Sequence, residues 1–110
     1  MDHIEKISLR SEAAHAQGDW QNWPLASVND HVVRLSVMRR DFHWHRHTDS
    51  DEVLMPVEGS LIVDFEDKTL TVDVGEFLRV PRNVVHRTRP AGDTVVTVSF
   101  EHKDTSVTGG

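Results

Sequence analysis

The sequence predicts an all-β protein that folds as a β-sandwich or a small barrel. From residue 31 onward, short runs rich in β-branched and aromatic residues are separated by turn residues at intervals of roughly 8 to 12 residues. Within these runs apolar and polar side chains alternate, which is the period of a strand with one buried face. The chain has 110 residues, enough for one domain with one hydrophobic core.

The region before the strands is polar and shows no strong period. Residues 11–16 have the composition of a short helix, with Ser11 as its N-cap and Gly18 closing it. Pro24 stops such a helix from continuing. The predicted organisation is an irregular or helical segment packing on the barrel, the barrel domain itself, and a small-residue tail that is mobile unless it docks: residues 1–24, 25–104 and 105–110.

Turn residues divide the barrel region into strands. Leu35 is typical, because it alternates with the polar residues Arg34 and Ser36. The charged tip 66–68 joins two runs into a hairpin. Pro56 cannot donate a ladder hydrogen bond, so it predicts an edge or a bulge. The predicted strands, in chain order, cover residues 33–38, 52–57, both arms of the hairpin 60–74, 77–80, 84–88 and 94–101.

Composition excludes several classes of function. The absence of cysteine excludes thiolate catalysis, cysteine-ligated zinc, iron–sulfur clusters and disulfides, so that any metal must bind nitrogen and oxygen. A formal net charge of −6 argues against a nucleic-acid partner. No apolar run is long enough to span a bilayer, and the N-terminus lacks the pattern of a secretory signal. We therefore expect a cytoplasmic protein with no membrane partner.

Histidine is abundant, with eight in the chain, and three of them alternate at His43, His45 and His47. On an extended strand these three share a face, and two neighbouring imidazoles can converge on one ion. Three in a row converge less easily, so one of them is expected to stand outside the ligand set. Glu52 and His86 could complete a site for a divalent transition metal. The spacing alone does not decide between ligands and exposed histidines.

Two stretches resemble the motifs of the cupin family. The run 42–47, followed by four residues, Glu52, six residues and Gly59, looks like the first cupin motif. A later stretch looks like the second cupin motif. It consists of Gly75, five residues, Pro81, a turn residue at Asn83, two residues and His86. The likeness extends over residues 31–102 and is greatest to small single-domain cupins (cupin 2, or RmlC-like, barrels) labelled mannose-6-phosphate-isomerase-like. It implies a cupin-type double-stranded β-helix, also called a jelly-roll barrel.

The resemblance also implies a metal site and roles for individual residues. The metal ligands it implies are His45, His47, Glu52 and His86, and the ion would be Fe, Mn, Ni, Co, Cu or Zn. His43 could line the pocket as an acid/base group or serve structure alone, and Glu52 is the other catalytic candidate. Arg79 could enter the barrel and bind an anionic substrate, or it could lie on the surface. A degenerate cupin whose histidines only form hydrogen bonds is the alternative to a metal site.

Such a centre supports more than one function. Our first hypothesis is a metal-dependent enzyme acting on a small polar metabolite through isomerase, epimerase or lyase chemistry. The alternatives are an Fe(II) cupin dioxygenase and a non-catalytic module that binds a metal or a small molecule. We also expect a homodimer, because Val53, Met55 and Val57 would form an apolar face opposite Glu52 on their strand.

Overall fold

The computed structural model describes residues 3–105 and 107–109 of the chain. It contains one short helix and ten strands: α1 (Leu9–Ala13), β1 (Trp20–Val28), β2 (His31–Met38), β3 (His45–His47), β4 (Glu52–Glu58), β5 (Leu61–Phe65), β6 (Thr69–Val72), β7 (Leu78–Val80), β8 (His86–Pro90), β9 (Val95–His102) and β10 (Val107–Gly109). They form two five-stranded antiparallel sheets, ordered β1-β2-β9-β4-β7 and β10-β3-β8-β5-β6. The predicted all-β jelly-roll barrel is confirmed.

The N-terminal region differs from the prediction in two ways. The helix begins earlier, because the side chain of Ser8 accepts a hydrogen bond from the backbone N–H of Ser11 and so acts as the N-cap in place of Ser11. Strand β1 begins at Trp20, so the boundary predicted between residues 24 and 25 falls inside it. Pro24 is tolerated there because β1 is an edge strand, and its register shifts between Pro24 and Ala26.

Two further features of the sequence have clear counterparts. The register of β4 against β9 shifts between Pro56 and Glu58, which is the bulge that the proline predicted. Part of the predicted tail docks, since β10 pairs with β3. Residues 1, 2, 106 and 110 lie outside the described residues.

The sheet that contains β2 and β9 is apolar on its outer face. Leu35, Val37, Val96 and Val98 form a buried cluster there, and Leu9 of α1 packs against it. The inner face of the same strands carries the polar residues Arg34, Ser36 and Ser99, which line the cavity, and the apolar residues Met38 and Val95. Helix α1 covers this outer face, which is why a polar cavity can be built without exposing the sheet.

A second apolar cluster lies between the two sheets. Its buried members are Met38, Leu54, Leu61, Val63, Val72, Val80 and Val95. It fills part of the space between the sheets, and a cavity of about 380 Å³ occupies another part. The cavity is lined by residues of both sheets, and the candidate site lies in its wall.

The predicted homodimer stays a prediction. Two of the three residues on which this prediction rests, Met55 and Val57, pack against the apolar cluster beneath α1. The helix therefore covers part of the face that a dimer would use. Within the described part of the chain, no helix has the length and apolar character needed to cross a bilayer.

Candidate metal centre

Three buried histidines converge on one another, and two of them, His45 and His47, line the cavity. His45 and His47 point inward from β3, with Arg46 exposed between them, and His86 lies on β8. His45 and His86 are direct cross-strand partners, and their ring centroids are 4.3 Å apart. One ring nitrogen of each of the three histidines lies within 4.8 Å of the others. The alternation in β3 therefore places two imidazoles on one face, and strand pairing supplies the third.

Hydrogen bonds fix the orientation of two of these rings. The Nδ1 atoms of His45 and His86 lie 2.9 Å from the carbonyl oxygens of His43 and Val84, respectively. A carbonyl only accepts hydrogen bonds, so each Nδ1 carries the proton and each Nε2 keeps a lone pair. Both rings are thus held in the tautomer in which Nε2 can bind a metal.

Glu52 reaches the histidines from the opposite sheet. Its Oε1 lies 3.3 Å from His47 Nε2 and 3.8 Å from His86 Nε2. Burial opposes ionisation of this carboxyl, but its electrostatic interactions with His47 and His86 outweigh burial and lower the pKa of Glu52 to about 2. The carboxylate is therefore anionic at neutral pH and lies beside two imidazole nitrogens.

Burial also sets the protonation of His45. Removal from water lowers its pKa to about 4, and the hydrogen bond to the His43 carbonyl offsets this only in part. The imidazole is therefore neutral at physiological pH, which is the form that binds a metal.

Glu101 is a fifth polar residue at this site, and the sequence analysis missed it. It lies on the inner face of β9, and its Oε2 is 3.8 Å from His47 Nδ1. Burial and the negative charge of Glu52 raise the pKa of Glu101 to about 7. A ligand atom of Glu101 lies within 4.8 Å of one from His47 and one from Glu52. Glu101 thus faces the Nδ1 side of His47, as the backbone carbonyls face Nδ1 of the other two histidines.

The residues present fit a divalent transition metal. Among the described residues, His86 Nε2 and Glu101 Oε2 are buried without a hydrogen-bond partner, which is costly unless something binds there. Three imidazoles and a carboxylate form a nitrogen and oxygen donor set suited to such ions. The four ligands implied by the sequence are all brought together: His45, His47, Glu52 and His86.

Two other predicted residues do not enter the cavity. The His43 ring is exposed and lies against Phe42, with centroids 4.1 Å apart, so His43 contributes to the site through its carbonyl oxygen. The Arg79 side chain is also exposed, and its Nη1 binds Asp51 Oδ2 at 3.2 Å. Arg79 points outward because it alternates with Leu78 and Val80, which pack against or within the cluster between the sheets.

The cation that lines the cavity is Arg34, on the inner face of β2. Ser36 and Ser99 line the same wall, and Glu101 continues it along β9. The signal in the sequence is the polar half of the alternation in these two strands. This pattern identifies cavity residues only once the polar face of β2 and β9 is known to point into the barrel.

Comparisons with known proteins agree with this geometry. The family model described as a cupin domain, Cupin_2, matches residues 31–100. The chain is 43% identical over 104 residues to the uncharacterized protein YdbB of Bacillus subtilis (strain 168), covering 94% of this chain and 87% of that one.

Solved structures show the same fold. A cupin-2 domain containing protein from Shewanella frigidimarina NCIMB 400 superposes with a TM-score of 0.82 at 27% identity, covering 88% of this chain and 94% of that one. A putative mannose-6-phosphate isomerase from Ralstonia eutropha JMP134 gives 0.74 at 18% identity, covering 90% and 98%. The family match spans more than half of the chain and includes His45, His47, Glu52 and His86. The chain belongs to the cupin domain family.

Proposed function

We propose that this protein is a metal-dependent enzyme that acts on a small polar metabolite, with a divalent ion held by His45, His47, His86 and Glu52. The observation that carries the proposal is the convergence of these four side chains beside a cavity that His45, His47 and Glu52 line, with Nδ1 of His45 and of His86 already bonded to backbone carbonyls. A bound divalent ion would supply Lewis-acid chemistry to a substrate oxygen, as isomerase, epimerase and lyase reactions require.

The residues around the cavity support a reaction shielded from bulk water. The four proposed ligand residues are all buried, and His86 is the most deeply buried of them. Phe42 and Leu54 add apolar surface to the lining. Such a wall excludes water and strengthens electrostatic contacts with a bound substrate.

Isomerase or lyase chemistry also needs a group that moves a proton. The chain has no tyrosine, and the ring of His43 lies outside the cavity. Glu101 is the carboxyl best placed for this role, because it lines the cavity and its Oε2 forms no hydrogen bond with the described residues. Glu52 is less suited, since its Oε1 lies between His47 Nε2 and His86 Nε2.

The first test is metal content. Untagged protein should bind about one equivalent of a transition metal after reconstitution, measured by elemental analysis. Less than about a tenth of an equivalent would overturn the metal centre. The identity of the metal separates Lewis-acid chemistry from the dioxygenase alternative, because only an iron-dependent, oxygen-consuming activity fits the latter.

The second test is turnover. A metabolite pool is incubated with wild type, with Glu52→Gln, and with Glu66→Gln as a matched control on an exposed turn. A product formed by wild type and by Glu66→Gln, but lost in Glu52→Gln, supports catalysis at this site. If no product differs between wild type and Glu52→Gln while metal is bound, the protein is the non-catalytic binding module.

A further inference from the structure

Arg34 carries a positive charge into a cavity that otherwise presents carboxylates and imidazoles. It is half-buried on the inner face of β2, and it is the only lysine or arginine among the described residues that line the cavity. A partly buried guanidinium loses hydration, so its presence requires a compensating partner. The question is what that partner is.

One nitrogen of the Arg34 guanidinium group already has a hydrogen-bond partner within the protein. Arg34 Nε donates to Asn22 Oδ1 of β1 at 2.6 Å, which fixes the direction of the side chain. No carboxylate among the described residues lies within ion-pair distance of Arg34, in contrast to Arg87 and Arg89, which both bind Asp64. Within that same part of the chain the two Nη groups meet no hydrogen-bond acceptor, so this planar fork, on a residue that lines the cavity, is open to a ligand.

Glu101 is the nearest alternative partner, and it does not neutralise Arg34. Arg34 pairs with Ser99 across the β2–β9 ladder, which places Glu101 on the diagonal. Among the described residues Glu101 forms no ion pair with Arg34, and its Oε2 instead lies 3.8 Å from His47 Nδ1. Because Glu101 also faces His47, Arg34 keeps its own capacity to bind an anion.

Two serines, Ser36 and Ser99, line the cavity together with Arg34. Ser99 lies directly opposite Arg34, and Ser36 lies opposite Thr97 one step along the same face. Hydroxyls beside an arginine provide donors for an oxyanion and for a neighbouring substrate hydroxyl. This wall is therefore complementary to a small polar anion.

We propose that the cavity binds a small organic acid whose carboxylate is held by the Arg34 fork, while its other polar group faces the metal site. The inference rests on the proposed function, which supplies that second point of attachment. A monoanionic carboxylate is favoured over a phosphate, because one arginine must balance the ligand in a cavity that already holds Glu52 and Glu101. The cavity of about 380 Å³ is near the lower end for small-molecule sites and suits a short-chain acid.

The test compares acids with neutral analogues of the same shape. Acetate, glycolate, lactate and pyruvate are titrated into metal-loaded protein by calorimetry, each beside its amide, with methyl phosphate as a further ligand. At least one acid should bind wild type on the order of 10- to 100-fold more tightly than its amide, the range expected for a charge-assisted hydrogen bond. Arg34→Gln should abolish that preference, and Arg34→Lys should retain part of it.

Arg79→Gln is the matched control, because Arg79 is exposed and binds Asp51 outside the cavity; it should leave the preference unchanged. The inference is overturned if no acid binds, if acids and amides bind equally, if Arg34→Gln keeps the preference, or if methyl phosphate binds more tightly than every acid. Metal content is measured on each sample. Failure to hold metal overturns the proposed function, whereas retained metal without an Arg34-dependent preference overturns the inference alone.

Discussion

His45 and His86 face each other directly across β3 and β8, and each ring donates from Nδ1 to a carbonyl two residues earlier in its own chain segment, 2.9 Å away. Both carbonyls precede the strand that carries the histidine. The rings are therefore oriented by local backbone, and the ladder between the strands brings them together. A metal would meet two imidazoles whose orientation is already set, which lowers the entropy lost on binding.

The first prediction concerns this pair. His45→Ala or His86→Ala should weaken metal binding by more than the roughly 10- to 100-fold typical of changing a residue that only orients a ligand. His43→Ala is the control, because His43 serves the site through its carbonyl, which alanine keeps. Affinity is measured by competition with a chelator. A loss of binding in His43→Ala equal to that in His45→Ala would show that the His43 ring binds the ion.

Glu101 gives the second prediction. Its Oε2 lies 3.8 Å from His47 Nδ1, so we expect it to orient that ring and strengthen its basicity. Glu101→Gln, which keeps the shape and removes the charge, should weaken metal binding by about 10- to 100-fold. Ser99→Ala, on the same inner face of β9, should leave the affinity unchanged. Unaltered affinity in Glu101→Gln would rule out the orienting role, and a loss as large as that of His45→Ala would make Glu101 a ligand.

The third prediction uses two glycines that share a backbone conformation. Gly59 and Gly75 both have positive φ, +74° and +94°, where an added Cβ costs about 1 to 2 kcal/mol. A Cβ at Gly59 would also lie 2.5 Å from the backbone oxygen of Thr94, whereas at Gly75 it meets nothing within 4 Å. Gly59→Ala should therefore lower the free energy of unfolding by clearly more than Gly75→Ala, as measured by urea denaturation. Equal losses would contradict the steric part of this argument.

The sequence singles out the four converging residues, His45, His47, Glu52 and His86, more readily than the rest of the cavity lining, for a physical reason. His45 and His47 are two residues apart on one strand, so their common face follows from strand geometry alone. Glu52 and His86 become recognisable through their places in the two motifs. Glu101 belongs to neither motif and meets His47 only through the packing of the two sheets.

Arg34 was missed because both faces of its strand are covered. The usual rule assigns the apolar half of an alternating strand to the interior, which would put Leu35 inside and Arg34 outside. In this fold α1 buries Leu35 on the outer face, and the inner face carries Arg34. Arg79, which the sequence placed either in the barrel or on the surface, lies on the outer face beside Val53 in the register of β7 against β4. Which face of a strand lines a polar cavity depends on whether another element covers the opposite face. The alternation of apolar and polar residues does not show this.

Asp64 holds together the outer face of the second sheet. Its carboxylate accepts hydrogen bonds from Arg87 and Arg89 of β8, with shortest distances of 2.9 and 2.8 Å, and from Thr69 Oγ1 at 2.8 Å. The Asp64 side chain is 8% exposed, and the two arginines are about one-third exposed. Hydrogen bonding from Arg89 is the largest of the interactions that hold the pKa of Asp64 far below its ordinary value of 3.8.

The last prediction follows from the sign of that shift. A carboxyl with a lowered pKa in the folded state stabilises the protein fully above its unfolded pKa, near 3.8, and the contribution is lost as the pH falls toward the folded value. Asp64→Asn should therefore lower the free energy of unfolding by about 1 to 2 kcal/mol at neutral pH, a figure reduced for the solvent exposure of the arginines. The difference in the free energy of unfolding between wild type and Asp64→Asn should become smaller below about pH 4, as measured by urea denaturation at a series of pH values. Asp67→Asn, on the exposed turn between β5 and β6, serves as the control and should change stability little at either pH. A gap that stays constant down to about pH 3 would mean that the ionised carboxylate of Asp64 is not what stabilises this face.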